Sequence, residues 1–319
     1  MNIPILDAAA VEAWAGRIDF ARVLRDMFGS LHAGRSAQPP QSLTLFPDGS
    51  GDFITYQGVM PDAGVFGAKL SPYIVRPGDL PLITAWTLLM STTTGRPLLL
   101  CDAARLTTER TAGVTALAVD LLAPAGARRL AIVGAGALAE AHLRHVLPLR
   151  NWESVMIASR RLGAAPAGAL ERFTARDGRV EMRGSVDEAV AGAGADVILL
   201  CTSSAGPVVD PERLERPALI CSISTNVPRA HEIPPAALPG LDVYCDYRAA
   251  APLAAGEMLI AREAHGWSPD SIVADLGELV GGKVIDRDGL RHAFFRSIGL
   301  GLEDIAVAAE IHRALSANL

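Results

Sequence analysis

The sequence predicts an α/β protein: a parallel, doubly wound sheet with an α+β block ahead of it. Three observations predict this. From about residue 105 onward, apolar runs of strand length alternate with helical stretches, the pattern of a parallel sheet covered on both faces. One such run, RRLAIVG (128–134), leads through Gly134-Ala135-Gly136 directly into a helical stretch. Before residue 105, several strand-like runs follow one another with turn residues between them.

In chain order, residues 7–35 read as helix, because Val11, Trp14, Ile18, Val23, Met27 and Leu31 recur every three or four positions. SLTLF (42–46) and FITYQ (53–57) read as strands joined in a hairpin by PDGSGD. GVFGAKLSPYIV (64–75) reads as a strand region, residues 81–90 as a short helix-like segment, and RPLLLCD (96–102) as an apolar strand. RLTTERTAGVTALAVDLLAP (105–124) reads as a helix with Thr107 as N-cap and Pro124 beyond its end. A helix at 137–149 follows the glycine turn, then a strand at 154–159 and a helix at 186–193. Strands are expected at 195–203, 217–224 and 241–246, and a long helix from about 301 onward. Periodicity alone leaves open whether that last helix continues the parallel domain or returns to the first block.

Composition narrows the function. The chain of 319 residues allows about two domains at roughly 150 residues each. It is 50% hydrophobic and 20% charged, which excludes a disordered chain. A net charge of −6 and 5% aromatic residues argue against nucleic acid as a partner. Cys101, Cys201, Cys221 and Cys245 each lie in or beside an apolar run and show no CxxC spacing; they read as buried thiols of a cytoplasmic protein. No basic, signal-like N-terminus and no membrane-length apolar run is present. The seven histidines form no HExxH-type pair, so no metal is expected.

Gly134-Ala135-Gly136-Ala137-Leu138-Ala139 is a GxGxxA turn in strand–turn–helix context, which identifies a dinucleotide site. Gly134 permits the turn, Gly136 lets a pyrophosphate reach the backbone, and Ala139 allows close helix packing. The N-terminus of the helix, at Ala137 and Leu138, offers free N–H groups to phosphate. After the next strand, where an NAD site places a carboxylate for the ribose, the chain reads Ser159-Arg160-Arg161. Arginines bind a 2′-phosphate bidentately, so NADP(H) is favoured, with NAD(H) possible. Thr202 and Ser203 follow the 195–201 strand, at the sheet edge that lines a cofactor crevice.

Several segments carry a wider resemblance: MPDAGVFGAKL (60–70), TGRPLLLCDAARLTTERTAGVTALA (94–118), IVGAGALAEAH (132–142), SISTNVPRAHEI (222–233), AAGEMLIA (254–261), IVADLGELVGGK (272–283) and FFRSIGLGLEDIAVAA (294–309). In this order and spacing the chain resembles the ornithine cyclodeaminase/mu-crystallin family from about residue 40 to its end. The resemblance implies a Rossmann-type dinucleotide-binding domain (114–294) inserted into an α+β substrate and dimerisation domain (1–113 plus 295–319), and a homodimer. It implies a nicotinamide cofactor and a small α-amino or α-imino acid as substrate.

By the same resemblance, Lys69 matches the family lysine near the substrate carboxylate and reacting carbon. Arg110 matches the arginine that holds the carboxylate beside the cofactor, and Thr84 a further pocket position. Arg110, Thr111, Ile223 and Ser297 fall at cofactor positions. Two departures bear on the chemistry. Gln41 stands after the Pro pair where cyclodeaminases carry an arginine, and Asn226 aligns with a catalytic aspartate. An amide is no general base at neutral pH, although it can hydrogen-bond a substrate nitrogen. Arg296 stands where many members carry lysine. The expectation is an NAD(P)(H)-dependent amino-acid dehydrogenase or ketimine reductase. The alternatives are an ornithine cyclodeaminase, and a crystallin-like NADPH-binding protein with little turnover.

Overall fold

A computed structural model describes residues 3–76, 78, 82–159, 171–192, 194–223, 229–285 and 289–317. The chain runs β1 (Ile5–Leu6), α1 (Ala8–Ala15), α2 (Phe20–His32), β2 (Ser42–Leu45), β3 (Gly51–Met60), β4 (Val65–Ile74), β5 (Leu82–Ile83), β6 (Trp86–Ser91), β7 (Pro97–Asp102) and α3 (Ala104–Leu122). It continues with β8 (Arg129–Val133), α4 (Ala137–Val146), β9 (Ser154–Ala158), α5 (Glu171–Thr174), β10 (Val180–Arg183), β11 (Val197–Leu200), β12 (Leu219–Ser222) and β13 (Asp242–Cys245). It ends with α6 (Ala251–Ala254), α7 (Gly256–Ala264), β14 (Ile272–Asp275), α8 (Leu276–Val280), β15 (Ala293–Arg296) and α9 (Gly301–Ser316). Two compact units result: Met1–Arg110 with Gly299–Leu319, and Thr111–Ile298.

The first unit is built on a mixed sheet in the order β1-β7-β6-β4-β3-β2, with β5 on β4. All its pairs are antiparallel except β1 with β7. Side chains alternate by face, as pleating requires. Lys69, Thr87, Leu89, Leu99 and Cys101 are buried on one face. Helix α9 returns to cover that face, packing on β3, β4, β6 and β7, with α2 against it. The approach is close: a Cβ on Gly301 would lie 2.2 Å from the Gln57 carbonyl oxygen. On the opposite face Leu70 and Trp86 are register partners, Leu88 is the next outward residue on β6, and Ile5 lies on β1; all four are exposed. The sheet therefore presents an apolar surface on that side.

Three sequence expectations are corrected here. Residues 7–35 form two helices, each with its own aspartate cap: Asp7 accepts from Ala10 N at the start of α1, and Asp19 from Arg22 N at the start of α2. The described part of 81–90 is extended. Trp86 and Leu88 point out while Thr87 and Leu89 are buried, a period of two that outweighs the helix-like composition. Thr107 is not the cap of α3. Asp102 accepts from Ala104 N, and Thr107 N already bonds to Ala103 O. Arg110 thus lies in the second turn of α3, beyond the uncapped N–H groups that favour an anion.

The second unit is an eight-stranded sheet in the order β10-β9-β8-β11-β12-β15-β13-β14, parallel throughout. Every residue of β11, β12 and β15 is buried, as expected of strands covered on both faces. Strands β10 (VEMR), β14 (IVAD) and β15 (AFFR) are absent from the sequence reading; each is short and carries a charged residue, unlike the uncharged runs that mark β11 and β12. The chain runs outward from β8 to β9 and β10, then returns to β11 on the other side of β8. That reversal opens a crevice at the carboxyl ends of β8 and β11, the Rossmann-type arrangement.

Candidate active site

Two clusters of functional side chains are described, one in each unit. In the first unit, neighbouring strands set Tyr56, Lys69, Thr87 and Cys101 opposite one another in register across β3, β4, β6 and β7. This is the face covered by α9, so the Lys69 ammonium is taken out of water entirely. Its Nζ is 2.9 Å from Asp304 Oδ2, donates to Thr107 Oγ1 at 3.2 Å, and lies 4.2 Å from the centre of the Tyr56 ring. Arg110, also buried, donates from Nε to Asp304 Oδ1 at 3.1 Å and from Nη1 to Glu303 Oε2 at 2.6 Å. Gly299 has φ +76°, a backbone conformation that favours glycine, and its open Cα faces the Arg110 guanidinium, where a Cβ would lie 2.7 Å from Nη1.

Buried charges are tolerated when paired, and here two cations meet two carboxylates. Burial pulls the Lys69 ammonium down to about 8, against the pull of Asp304 in the other direction. For Arg110 burial disfavours the charge, but Asp304 and Glu303 overcome it and the pKa goes up. The Tyr56 phenol is pushed up, chiefly by burial. Lys69 and Arg110, the two residues singled out by the sequence, are therefore brought together, and the joint between them is Asp304. Thr84 is half-buried between β5 and β6, and Gln41 is exposed just before β2. Neither joins this cluster among the described residues.

Glu303 and Asp304 are absent from the sequence reading as site residues. Their signal is adjacent acids in a stretch, GLEDIAVAA, that is otherwise apolar; acids on a buried face require cations. A second signal is rarity. Lys69 and Lys283 are the only two lysines in the chain.

In the second unit, the turn after β8 is shaped by Gly134, whose φ is +124° and whose Cβ would lie 2.3 Å from Cys201 O. Gly136 is the N-cap of α4, with no side-chain cap and open space where a Cβ would stand. Among the described residues, the first N–H groups of α4, beginning at Ala137 and Leu138, receive no side-chain cap, and Ala139 is fully buried. This uncapped, unobstructed helix start fits a pyrophosphate. Glu140 in the same turn is engaged by Arg172 at 3.5 Å and Arg176 at 4.0 Å.

At the ends of β11 and β12 lies a carboxylate six positions beyond Asn226 in the sequence. Glu232, fully buried, accepts from Thr202 N and Thr202 Oγ1 on one oxygen. Its other oxygen accepts from Ser222 Oγ at 2.8 Å and Ile223 N at 3.2 Å. Burial raises its pKa, opposed by these donors and by Arg296. Arg296 Nη1 donates to Ser222 Oγ, and its Nε pairs with the buried Glu257 at 2.9 Å.

The other expected cofactor residues are placed as follows. Thr202 commits its hydroxyl to Glu232 and Ser297 donates its own to Asp246, so each offers position rather than a spare hydroxyl hydrogen. Ser203 is exposed, while Ser159, Ile223 and Thr111 are half-buried. Arg160, Arg161 and Asn226 lie outside the described residues. Among the described residues, no group of three or more His, Cys, Asp or Glu side chains is placed to hold a metal ion, and no helix is long and apolar enough to cross a membrane.

Residues 5–318 match the family model of the ornithine cyclodeaminase/mu-crystallin family. The chain belongs to this family. Over 314 residues it is 54% identical to the NAD(P)H-dependent anabolic L-arginine dehydrogenase of Pseudomonas aeruginosa, covering 98% of both chains. It superposes on a probable ornithine cyclodeaminase of Bordetella pertussis with a TM-score of 0.87 at 28% identity, covering 99% of this chain and 98% of the other. An archaeal alanine dehydrogenase dimer with bound NAD gives a TM-score of 0.86 at 25% identity, covering 100% and 98%.

Proposed function

We propose that this family member is an NAD(P)(H)-dependent oxidoreductase acting on the C–N bond of an α-amino or α-imino acid, with L-arginine the first substrate to test. The buried pairing of Lys69 and Arg110 through Asp304 carries the assignment of a carboxylate-binding site. The 54% identity to an L-arginine dehydrogenase supports the choice of substrate.

Each residue has a defined task in this reading. Arg110 presents a guanidinium fork to the substrate carboxylate; among the described residues its Nη2 has no acceptor. Lys69 supplies a second positive charge near the reacting carbon, and Thr84, Gln41 and Asn226 keep the substrate roles that the family resemblance implies. The turn of Gly134, Gly136, Ala137 and Leu138 takes the pyrophosphate. Ser159, Arg160 and Arg161 take a 2′-phosphate, making NADP(H) the preferred coenzyme. Arg110, Thr111, Thr202, Ser203, Ile223 and Ser297 border the rest of the coenzyme. The bound nicotinamide supplies hydride exchange with the substrate α-carbon; the protein supplies orientation and charge.

We also read the protein as a cytoplasmic homodimer. The four cysteines are all free and buried, which suits a reducing compartment. The apolar face carrying Leu70, Trp86 and Leu88 suits a second copy.

The test is spectrophotometric. Purified protein is assayed with L-arginine and NADP+ or NAD+, and in reverse with the 2-oxo analogue, ammonia and NADPH or NADH, beside a panel of other amino and imino acids. Turnover on a member of the panel is expected. Absence of turnover across the panel, with NADPH tightly bound, would leave the crystallin-like role instead.

A further inference from the structure

The strongest feature without an assigned role is Asp304, and its role rests on Lys69 and Arg110 being the substrate-carboxylate residues. We propose that Asp304 is the positioning residue of that pair: one oxygen on Lys69 Nζ and the other on Arg110 Nε fix the two cations at a single spacing for one substrate carboxylate.

The geometry carries this. Asp304 sits in the first turn of α9, a helix buried on nearly every position of its first half. Its side chain is 1% exposed, and its two oxygens are divided between the cations at 2.9 and 3.1 Å. Glu303, its neighbour, pairs with Arg110 through Oε2 at 2.6 Å. Lys69 sits on a strand and Arg110 on α3, so they have no backbone relation that sets their separation. A shared carboxylate supplies one. With one oxygen directed at each cation, Asp304 acts through its partners and is not assigned contact with the substrate.

The environment of Lys69 makes the role measurable. The groups facing it are Tyr56 from β3, Thr107 and Arg110 from α3, Asp304 and Glu303 from α9, and Cys101, the register partner of Thr87, from β7. The Cys101 thiol is pushed up to about 12, chiefly by burial, and the Tyr56 phenol is also raised, so both stay neutral at working pH. Arg110 repels the Lys69 charge and burial disfavours it, while Asp304 is the leading group that holds it on. Loss of the Asp304 charge therefore moves the Lys69 titration to lower pH.

Two lysines in the whole chain make a direct titration feasible. Protein labelled with carbon-13 at lysine Cε should give two side-chain signals, assigned by Lys283→Arg. In Asp304→Asn the Lys69 midpoint is expected to fall by at least one pH unit from about 8. kcat/KM should fall roughly 10²-fold, the scale of a small misplacement of a reacting group. The alkaline limb of kcat/KM should move with the midpoint, and the NADPH Kd measured by calorimetry should stay within twofold. Asp304→Glu keeps the charge but shifts it by a methylene group. It should hold the midpoint within half a unit and still lose activity, and it stands in if the Asn variant does not fold.

A folded Asp304→Asn protein with an unmoved Lys69 midpoint overturns the proposal, as does Asp304→Glu with wild-type kcat/KM. If the midpoint falls while the pH–rate limb stays in place, Asp304 keeps its hold on Lys69 and the assignment of Lys69 to the substrate fails instead.

Discussion

The Thr202 hydroxyl donates to Glu232 Oε1 at 2.6 Å, and through that bond the end of β11 is tied to a carboxylate that also receives Ser222 and Ile223 at the end of β12. The carboxylate thus stitches together two adjacent strand ends at the edge where a coenzyme is expected. Removing it leaves buried donors without an acceptor, a cost of about 1–3 kcal/mol for each group stranded. Glu232→Ala should therefore lower the thermal midpoint by roughly 5–10 °C, at about 2–4 °C per kcal/mol for a domain of this size. It should also weaken NADPH binding. A circular-dichroism melt and a calorimetric titration check both, and an unchanged melt would remove Glu232 from this role.

The buried cations should behave as a unit in turnover. Truncating one partner of a buried, hydrogen-bonded charge pair costs about 2–5 kcal/mol. Lys69→Ala and Arg110→Ala are each expected to lose most of kcat/KM, while coenzyme binding persists, somewhat weakened in Arg110→Ala. Near-wild-type steady-state kinetics in both variants would place the substrate elsewhere.

Coenzyme choice should follow Arg160 and Arg161. NADPH is expected to bind at least about tenfold more tightly than NADH, or roughly 1.4 kcal/mol, and Arg160→Asp to reverse that order. Equal or tighter NADH binding by the wild-type protein in a calorimetric comparison is the contrary result.

Assembly should depend on the outward face of the first sheet. Leu70, Trp86 and Leu88 lie together there, each at least 36% exposed. Charges placed at the centre of such a surface oppose its burial. Light scattering should report a dimer for the wild type and a 33.5 kDa monomer for Leu88→Glu combined with Trp86→Glu. A wild-type monomer at micromolar concentration would contradict the homodimer.

Ornithine conversion should be poor. Asn226 has no carboxylate to accept a proton, and loss of a general base costs about 10²- to 10⁴-fold. With ornithine and NAD+, proline and ammonia should form far more slowly than the turnover scale of about 1–10³ s⁻¹. Proline formation at about 1 s⁻¹ would put cyclodeamination first.

The sequence by itself determined much of this protein. The alternation of apolar runs and helices, with GAGALA at 134–139, specified a parallel dinucleotide-type sheet, because strand burial and phosphate turns are local in sequence. Its resemblance to the family pointed to Lys69 and Arg110 as substrate residues. Short strands such as β10, β14 and β15 escaped because each carries a charged residue and lacks the uncharged apolar run that marks β11 and β12, and β6 was misread because a mixed run of threonine and apolar residues suits either state until a neighbouring strand pairs with it. What only the tertiary structure decided was the partnership of residues far apart in the chain. Asp304 meets Arg110 across 194 positions and Glu232 meets Thr202 across 30. Pairings of this kind arise when buried charges must find counter-charges after the sheets and helices have packed, and no local pattern records which partner each will find.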